Sequence, residues 1–427
     1  MKTLPLITVI LGLSAACGTQ SDKNIANPND YNIYLTSTEK PTVESALESH
    51  KFWNSRINED TTGVGDISGA AGSYGALFTA TGDIENLKKA EGLYKKGIEL
   101  SANNKDGFTR SLAHNYITQH RFKEAEKLLE ESLEGPSDKY ETYLMLFDVY
   151  MELGHYEEAG KMLQHVENEN RFAFLIRRSK WNDHLGNLDE AIRYMEKAKA
   201  IAESSDNKAL KIWSYTNLAD FYGHAGRIDD SYQHYLKTLA IQPDNAYAKK
   251  GIAWIAYAND KNTEEANRIL DAASKSHNVP DYYLLKAEMA AYNGNNQAES
   301  ENLDAFVTAV SNMAYGDMYN TYLIELFAER DPEKALSLAQ AEIENRATPE
   351  TYQLLAYAQL KAGQKEQALK TINKYVKGKT SEPMAQYHSA LVYKANGLDA
   401  EANSMKKELE GASFELGPVV MTEVNKL

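Results

Sequence analysis

The sequence predicts an all-α chain built as one long solenoid of stacked helix pairs, and three observations carry that prediction. First, small residues recur at Ala90, Ala125, Ala159, Ala191, Ser231, Ala266, Ala298, Ala335, Ala368 and Ala402, spaced 32 to 40 residues apart, a period that marks a repeat array. Second, a glycine stands five residues before several of these, at Gly154, Gly186, Gly226, Gly363 and Gly397, with Tyr150, Tyr222 and Tyr393 four residues earlier again. Third, the 427 residues include only 10 Pro, and an apolar share of 43% with a charged share of 25% is that of a folded globular chain.

The chain opens with Lys2, an apolar run from Leu4 to Leu13, and the small residues Ser14, Ala15 and Ala16 before Cys17. That order reads as a signal peptide over residues 1–16, removed on export. The run is too short to span a bilayer, and no later apolar run is long enough to do so. Cys17 is the only cysteine, so the chain forms no internal disulfide and offers no cysteine-based metal site. Its place after the small residues resembles a bacterial lipobox. The resemblance implies acylation at Cys17 and an outer-membrane lipoprotein of the cell envelope, periplasmic or surface-facing. Ser14 stands where such motifs usually have Leu, which leaves plain cleavage after Ala16 as the alternative. The polar start Gln20-Ser21-Asp22 resembles that of surface-exported lipoproteins of the Bacteroidota type. Residues 17–40, rich in Asn, Thr, Ser and Asp, read as the lipidated cysteine and a flexible tether.

Residues 41–65 read as an N-terminal capping helix and loop, with Pro41 early and Val43, Leu47, Trp53 and Ile57 on an apolar stripe. Residues 66–411 hold the repeats. In each, an alanine on the second helix lets two helices approach closely, and the residue four later lies on the same face and fills the gap. Glycine in the turn accepts a left-handed backbone. A single pair cannot cover its apolar face, so neighbours must stack to make a core. Copies around Ala298 and Ala335 are degenerate. The 40-residue gap before Ser231 calls for a longer loop near Glu203–Asn207. Residues 412–427, with Gly417 and Pro418 breaking the last helix, read as a C-terminal cap.

The segment Tyr150-Met-Glu-Leu-Gly154-His-Tyr-Glu-Glu-Ala159 resembles the inter-helix turn of the tetratricopeptide repeat family. So does residues 212–245, through Tyr215, Leu218, Ala219, Tyr222, Gly226, Ser231, Tyr235 and Pro243. This resemblance covers nearly all of the chain after the tether. It implies a right-handed superhelix of nine to ten helix pairs whose concave groove is lined by the first helices.

The net charge of −15 argues against a nucleic-acid partner, which requires a basic field. Gly63, Gly65 and Gly69 lack the preceding strand and the lysine of a phosphate loop. Asn58, Asp60 and Thr62 begin like a calcium loop, but its twelfth position falls on Gly69 instead of an acid. The His residues show no metal-binding spacing, and no nucleophile elbow occurs. The sequence therefore predicts no catalytic residues, metal or cofactor.

With this register, groove-facing positions are Arg110 and His114; Leu144, Met145 and Asp148; Arg177 and Lys180; Trp213, Asn217, Asp220 and His224; Gln353 and Tyr357; and Tyr387, His388 and Lys394. Trp213 and Met145 fit equally a groove wall or a seam between neighbouring first helices. The expected function is a non-enzymatic interaction scaffold, anchored in the envelope by lipid, that holds a protein or peptide segment in its groove. The competing reading is a glycan- or nutrient-capturing lipoprotein partnering an outer-membrane transporter, for which the even spacing leaves no sugar-binding insertion.

Overall fold

Each sequence period becomes two antiparallel helices in the computed structural model, which describes residues 24–102 and 105–427. Two helices come first, α1 (Pro28–Thr36) and α2 (Pro41–Asn54). Ten pairs follow: α3 (Val64–Thr81) with α4 (Ile84–Leu100), α5 (Asp106–Thr118) with α6 (Phe122–Leu133), α7 (Tyr140–Leu153) with α8 (Tyr156–His165), α9 (Phe172–His184) with α10 (Leu188–Ser204), and α11 (Lys208–His224) with α12 (Ile228–Ile241). The second five are α13 (Ala246–Trp254) with α14 (Thr263–Ser274), α15 (Asp281–Tyr292) with α16 (Asn296–Val310), α17 (Asn320–Arg330) with α18 (Pro332–Asn345), α19 (Pro349–Lys361) with α20 (Lys365–Thr371), and α21 (Pro383–Ala395) with α22 (Asp399–Leu409). Helix α23 (Ser413–Asn425) closes the chain, and there is no strand among the described residues.

The repeat anchors sit where close helix approach requires them. Ala90, Ala125, Ala159, Ala191, Ala266, Ala335 and Ala368 are all 0% exposed, with Ser231 and Ala402 nearly so. Ala298 is the exception and remains half-buried, in keeping with its degenerate copy. The turn glycines Gly154, Gly186, Gly226, Gly363 and Gly397 have φ between 71° and 78°. His120, Asp206 and Lys261 take the same left-handed conformation with side chains, at φ 57°, 50° and 58°. The longer gap before Ser231 produces no long loop. It is absorbed by helix instead, since α10 and α11 each run 17 residues and only 205–207 connect them. Asn187 stands at the N-cap of α10 without a side-chain cap bond, and Asp229 lies within the first turn of α12.

The superhelix is tight enough for successive turns to touch. Thr81 of the first pair accepts a bond from the Asn278 N–H at 2.9 Å, just before the seventh pair. The His120 carbonyl of the second pair accepts from Asn345 of the eighth at 3.4 Å. Glu152 of the third pair meets Arg346, at the entrance to the ninth, at 3.4 Å. One turn therefore takes about six pairs. Helix α23 runs back across the inner wall: Trp254 Nε1 donates to the Phe414 carbonyl at 3.1 Å, and Gly417, at φ 73°, bends the chain against Trp254 and Glu288.

The N-terminal region corrects the expectation of a flexible tether over 17–40. Residues 28–36 form α1, and its Tyr31 is 0% exposed against α12 and α14. Ala26, Tyr31 and Leu35 are buried there and Ile25 and Tyr34 pack beside them; these few apolar residues, set among Asn, Asp and Pro, were hidden by the polar composition. The signal peptide and Cys17 lie outside the described residues.

Candidate functional site

First helices present one face to the inner wall, and α5, α7, α9 and α11 place that face around a common cavity of about 550 Å³. Its floor is apolar, from Ile117, Met145, Ile176, Met195 and Phe221. Trp213 stands at its edge, 39% exposed, with its ring edge-on to Phe172 at 5.8 Å. Polar groups ring the floor: His114, Asp148, Glu152, Arg177, Lys180, Asp183 and Asn217. Met145 and Trp213 both line this cavity, and Met145 also packs against the core cluster behind it.

The electrostatics of this wall are largely satisfied internally. Arg177 Nη2 donates to Asp148 at 2.6 Å, Nε to the Leu144 carbonyl at 2.8 Å and Nη1 to the Ala173 carbonyl at 3.0 Å. It is a brace between α7 and α9, not a free hand for a partner. Lys180 Nζ lies 3.0 Å from Glu152, which also faces Arg346 across the turns. Burial opposes the Lys180 charge, but the Glu152 and Asp148 carboxylates outweigh it and hold the ammonium above its ordinary value. Burial lowers His114 and keeps it neutral at pH 7, and burial raises Asp183. Asn217 lines the cavity, and its Nδ2 donates within its own helix, to the Trp213 carbonyl at 2.8 Å.

Of the groove residues expected from sequence, the structure brings together His114, Met145, Asp148, Arg177, Lys180, Trp213 and Asn217. The others are placed elsewhere. Leu144 is 1% exposed and belongs to the core, one position round the helix from Met145. Arg110 lies one turn before His114 with its Nη1 buried, outside the cavity. Asp220 is taken up by the hydroxyls of Tyr235 and Tyr247, at 2.5 and 2.7 Å. His224 lies 3.9 Å from Glu415 of α23, in a cleft between the turns. Tyr357 and Tyr387 are 7% and 9% exposed, and Gln353 and His388 are buried with them. Tyr357 stacks on His388 at 3.9 Å and bonds Glu329, while Tyr387 packs with Leu409, Leu416 and Val424. Lys394 is held by the carbonyls of Lys426 and Leu427, at 2.6 and 3.0 Å. Tyr387 and Lys394 left the groove because α23 lies over α21, and Gln353, Tyr357 and His388 because α17, α19 and α21 pack directly on one another.

Sequence reasoning missed Ile117, Glu152, Ile176, Asp183 and Phe221. Each is three or four residues from an assigned position on the same helix, so one further helical step would have found it. Met195 comes from a second helix, and the repeat pattern gave no signal for it. Among the described residues no group of His, Cys, Asp or Glu is placed to hold a metal, and no helix is long and apolar enough to cross a membrane.

Comparison with known proteins bears on this wall of helix pairs. Tetratricopeptide-repeat profiles match residues 116–174 and 183–244, the stretches that carry most of the cavity. The fold is a right-handed tetratricopeptide-type solenoid. No curated protein matches the chain. Among solved structures, a tetratricopeptide repeat protein from Parabacteroides merdae is 15% identical with a TM-score of 0.39, over 63% of this chain and 93% of that one. The Rap protein complexed with competence and sporulation factor is 16% identical with a TM-score of 0.44, over 67% and 84%. The APC/C hetero-tetramer Cut9–Hcn1 is 13% identical with a TM-score of 0.35, over 94% and 98%. At such identities the likeness concerns the fold alone. Tetratricopeptide repeats generally mediate protein–protein contacts, and their scaffold is typically non-enzymatic.

Proposed function

We propose that this tetratricopeptide solenoid is an envelope-anchored scaffold that captures a partner segment in the cavity between α5 and α11. The observation that carries the reading is the cavity itself. An apolar floor of Ile117, Met145, Ile176, Met195 and Phe221 lies beside a half-exposed Trp213, with Asn217 at the rim. A concave apolar seat edged by an aromatic and a few polar groups is what a buried anchor side chain of a peptide or helix requires. Arg177 and Asp148 shape the wall by bracing it. The Cys17 lipid supplies the address: acylation there places the solenoid at the outer membrane with the signal peptide removed.

The test replaces cavity residues that carry little of the fold's stability. Trp213→Ala with Asn217→Ala is expected to abolish recovery of partners cross-linked in intact cells, at an unchanged melting temperature. Recovery of the same partners by the doubly substituted protein would refute the groove assignment. Retention of Cys17→Ser in the membrane fraction would refute the anchor.

A further inference from the structure

Residues 25–36 lie against the outer wall as a ligand lies in a site. The backbone N–H groups of Ile25 and Ala26 donate to the two oxygens of one carboxylate, Asp260, at 3.0 and 2.9 Å. The Tyr232 hydroxyl receives the Asn27 N–H at 3.1 Å and donates to Asp30 at 3.0 Å. Tyr31 is fully buried, and its hydroxyl donates to Glu265 at 2.6 Å. Arg268 reaches Asn32 at 2.6 Å. A second fastening comes at the start of α2, where the N–H and hydroxyl of Thr42 both donate to Asp244, at 2.8 and 2.6 Å.

The receiving wall is locally specialised. Helix α13 ends in a π-turn, Ile255–Asn259, and Lys261 takes the left-handed position that a glycine fills in other turns. A π-turn inserts one residue into the helix and re-aims the side chains beyond it. Asp260, next in the chain, is the residue that holds the two N–H groups.

We infer that residues 25–36 are a strap that ties the acylated end of the chain to the outer wall at α12 and α14, so that this wall faces the lipid surface and the groove does not. The inference rests on acylation at Cys17, proposed above. Eight residue steps separate Cys17 from Ile25, a reach of at most about 29 Å even if fully extended. The lipid surface must therefore lie within that distance of Asp260. Helices α12 and α14 are second helices and form the outer wall, whereas the cavity is lined chiefly by first helices. With about six pairs to a turn, the cavity's far end at the second and third pairs lies about half a turn from the sixth, and its near end at α11 is screened from the lipid by α12 behind it. Ile33, Leu47 and Phe52 of α1 and α2 are 69%, 51% and 55% exposed, and a headgroup layer is an environment that shelters such side chains.

Full-length acylated protein in phosphatidylethanolamine–phosphatidylglycerol vesicles with a headgroup-borne quencher tests this. Cys17 is the only cysteine and its thiol is acylated, so a fluorophore can be placed singly. At Glu264→Cys on α14 it is expected to be quenched more strongly than at Glu157→Cys on α8, and the difference is expected to vanish when Tyr31→Ala and Asp260→Ala release the strap. Equal quenching with the strap intact would overturn the orientation. Hydrogen exchange reads the docking separately: the Ile25 and Ala26 amides are expected to exchange at least about tenfold faster in Asp260→Ala than in the parent. Equal rates would overturn the strap. A mass of the purified chain lacking acyl groups would instead sink the anchor reading and the orientation with it, while the exchange result still decides the strap.

Discussion

Replacing Arg177 with alanine tests whether the groove wall is braced or merely decorated. The guanidinium bonds Asp148 at 2.6 Å and the carbonyls of Leu144 and Ala173 at 2.8 and 3.0 Å, with only 14% of its side chain exposed. Hydrogen bonds to a charged group are each worth about 1.5–3 kcal/mol when buried. Asp148 keeps 29% exposure, so water recovers part of the ion pair. Arg177→Ala is therefore expected to cost about 3 kcal/mol, well below the simple sum. Asp148→Ala leaves both carbonyl bonds in place and is expected to cost about 1 kcal/mol. The double substitution should fall short of additivity by about 1 kcal/mol, the coupling between the pair. Urea unfolding followed by fluorescence of Trp181 and Trp213, with Trp53→Phe and Trp254→Phe in every protein compared, reads this region, which matters because repeat arrays need not unfold as one unit. An Arg177→Ala protein as stable as its parent, or strict additivity, would refute the brace.

Other contacts give further expectations. Ala159→Leu places a larger side chain at a 0% exposed helix crossing, and overpacking of about 1–3 kcal/mol should lower the melting temperature by several degrees. Gly417→Ala puts a Cβ 2.7 Å from a Glu288 carboxylate oxygen and 2.8 Å from the Trp254 ring at φ 73°, so α23 should detach, seen as faster exchange of its amides. Burial pushes the Glu288 carboxyl up to about 7, against the Tyr257 hydroxyl that bonds it. The folded chain then binds more protons than the unfolded one between about pH 4.5 and 7, so stability falls as pH rises through that window. Glu288→Gln removes that contribution and should raise the melting temperature at pH 8 while changing little at pH 4.5; an equal shift at both would contradict it.

The fold was legible because its constraint is local and repeated. A helix crossing needs a small residue every period, and nine of the ten assigned anchors, all but Ala298, sit buried at such crossings. The turn glycines were equally readable. His120 and Lys261 were harder, because side chains occupy the left-handed position there. Groove positions were legible at His114, Met145, Asp148, Arg177, Lys180, Trp213 and Asn217, on the stretch of first helices that α23 leaves open; at the end of α11, α23 reaches His224. They failed at Tyr387 because α23 folds back over α21, and at Tyr357 and His388 because the first helices α17, α19 and α21 pack directly on one another there. Asp220 failed for a related reason: two tyrosines from the next helices, Tyr235 and Tyr247, reach its carboxylate. The strap was missed because Asn, Asp and Pro surround its few apolar residues, Tyr31 and Leu35 among them, and its N–H bonds to Asp260 leave no trace in composition.

Site-specific photo-cross-linking in intact cells tests the central claim most directly. A photoreactive phenylalanine at position 213, on the cavity edge, is expected to give discrete protein adducts, while the same group at position 127, on the outer side of α6, gives none. Adducts from position 127 with none from position 213 would contradict a groove that holds a partner.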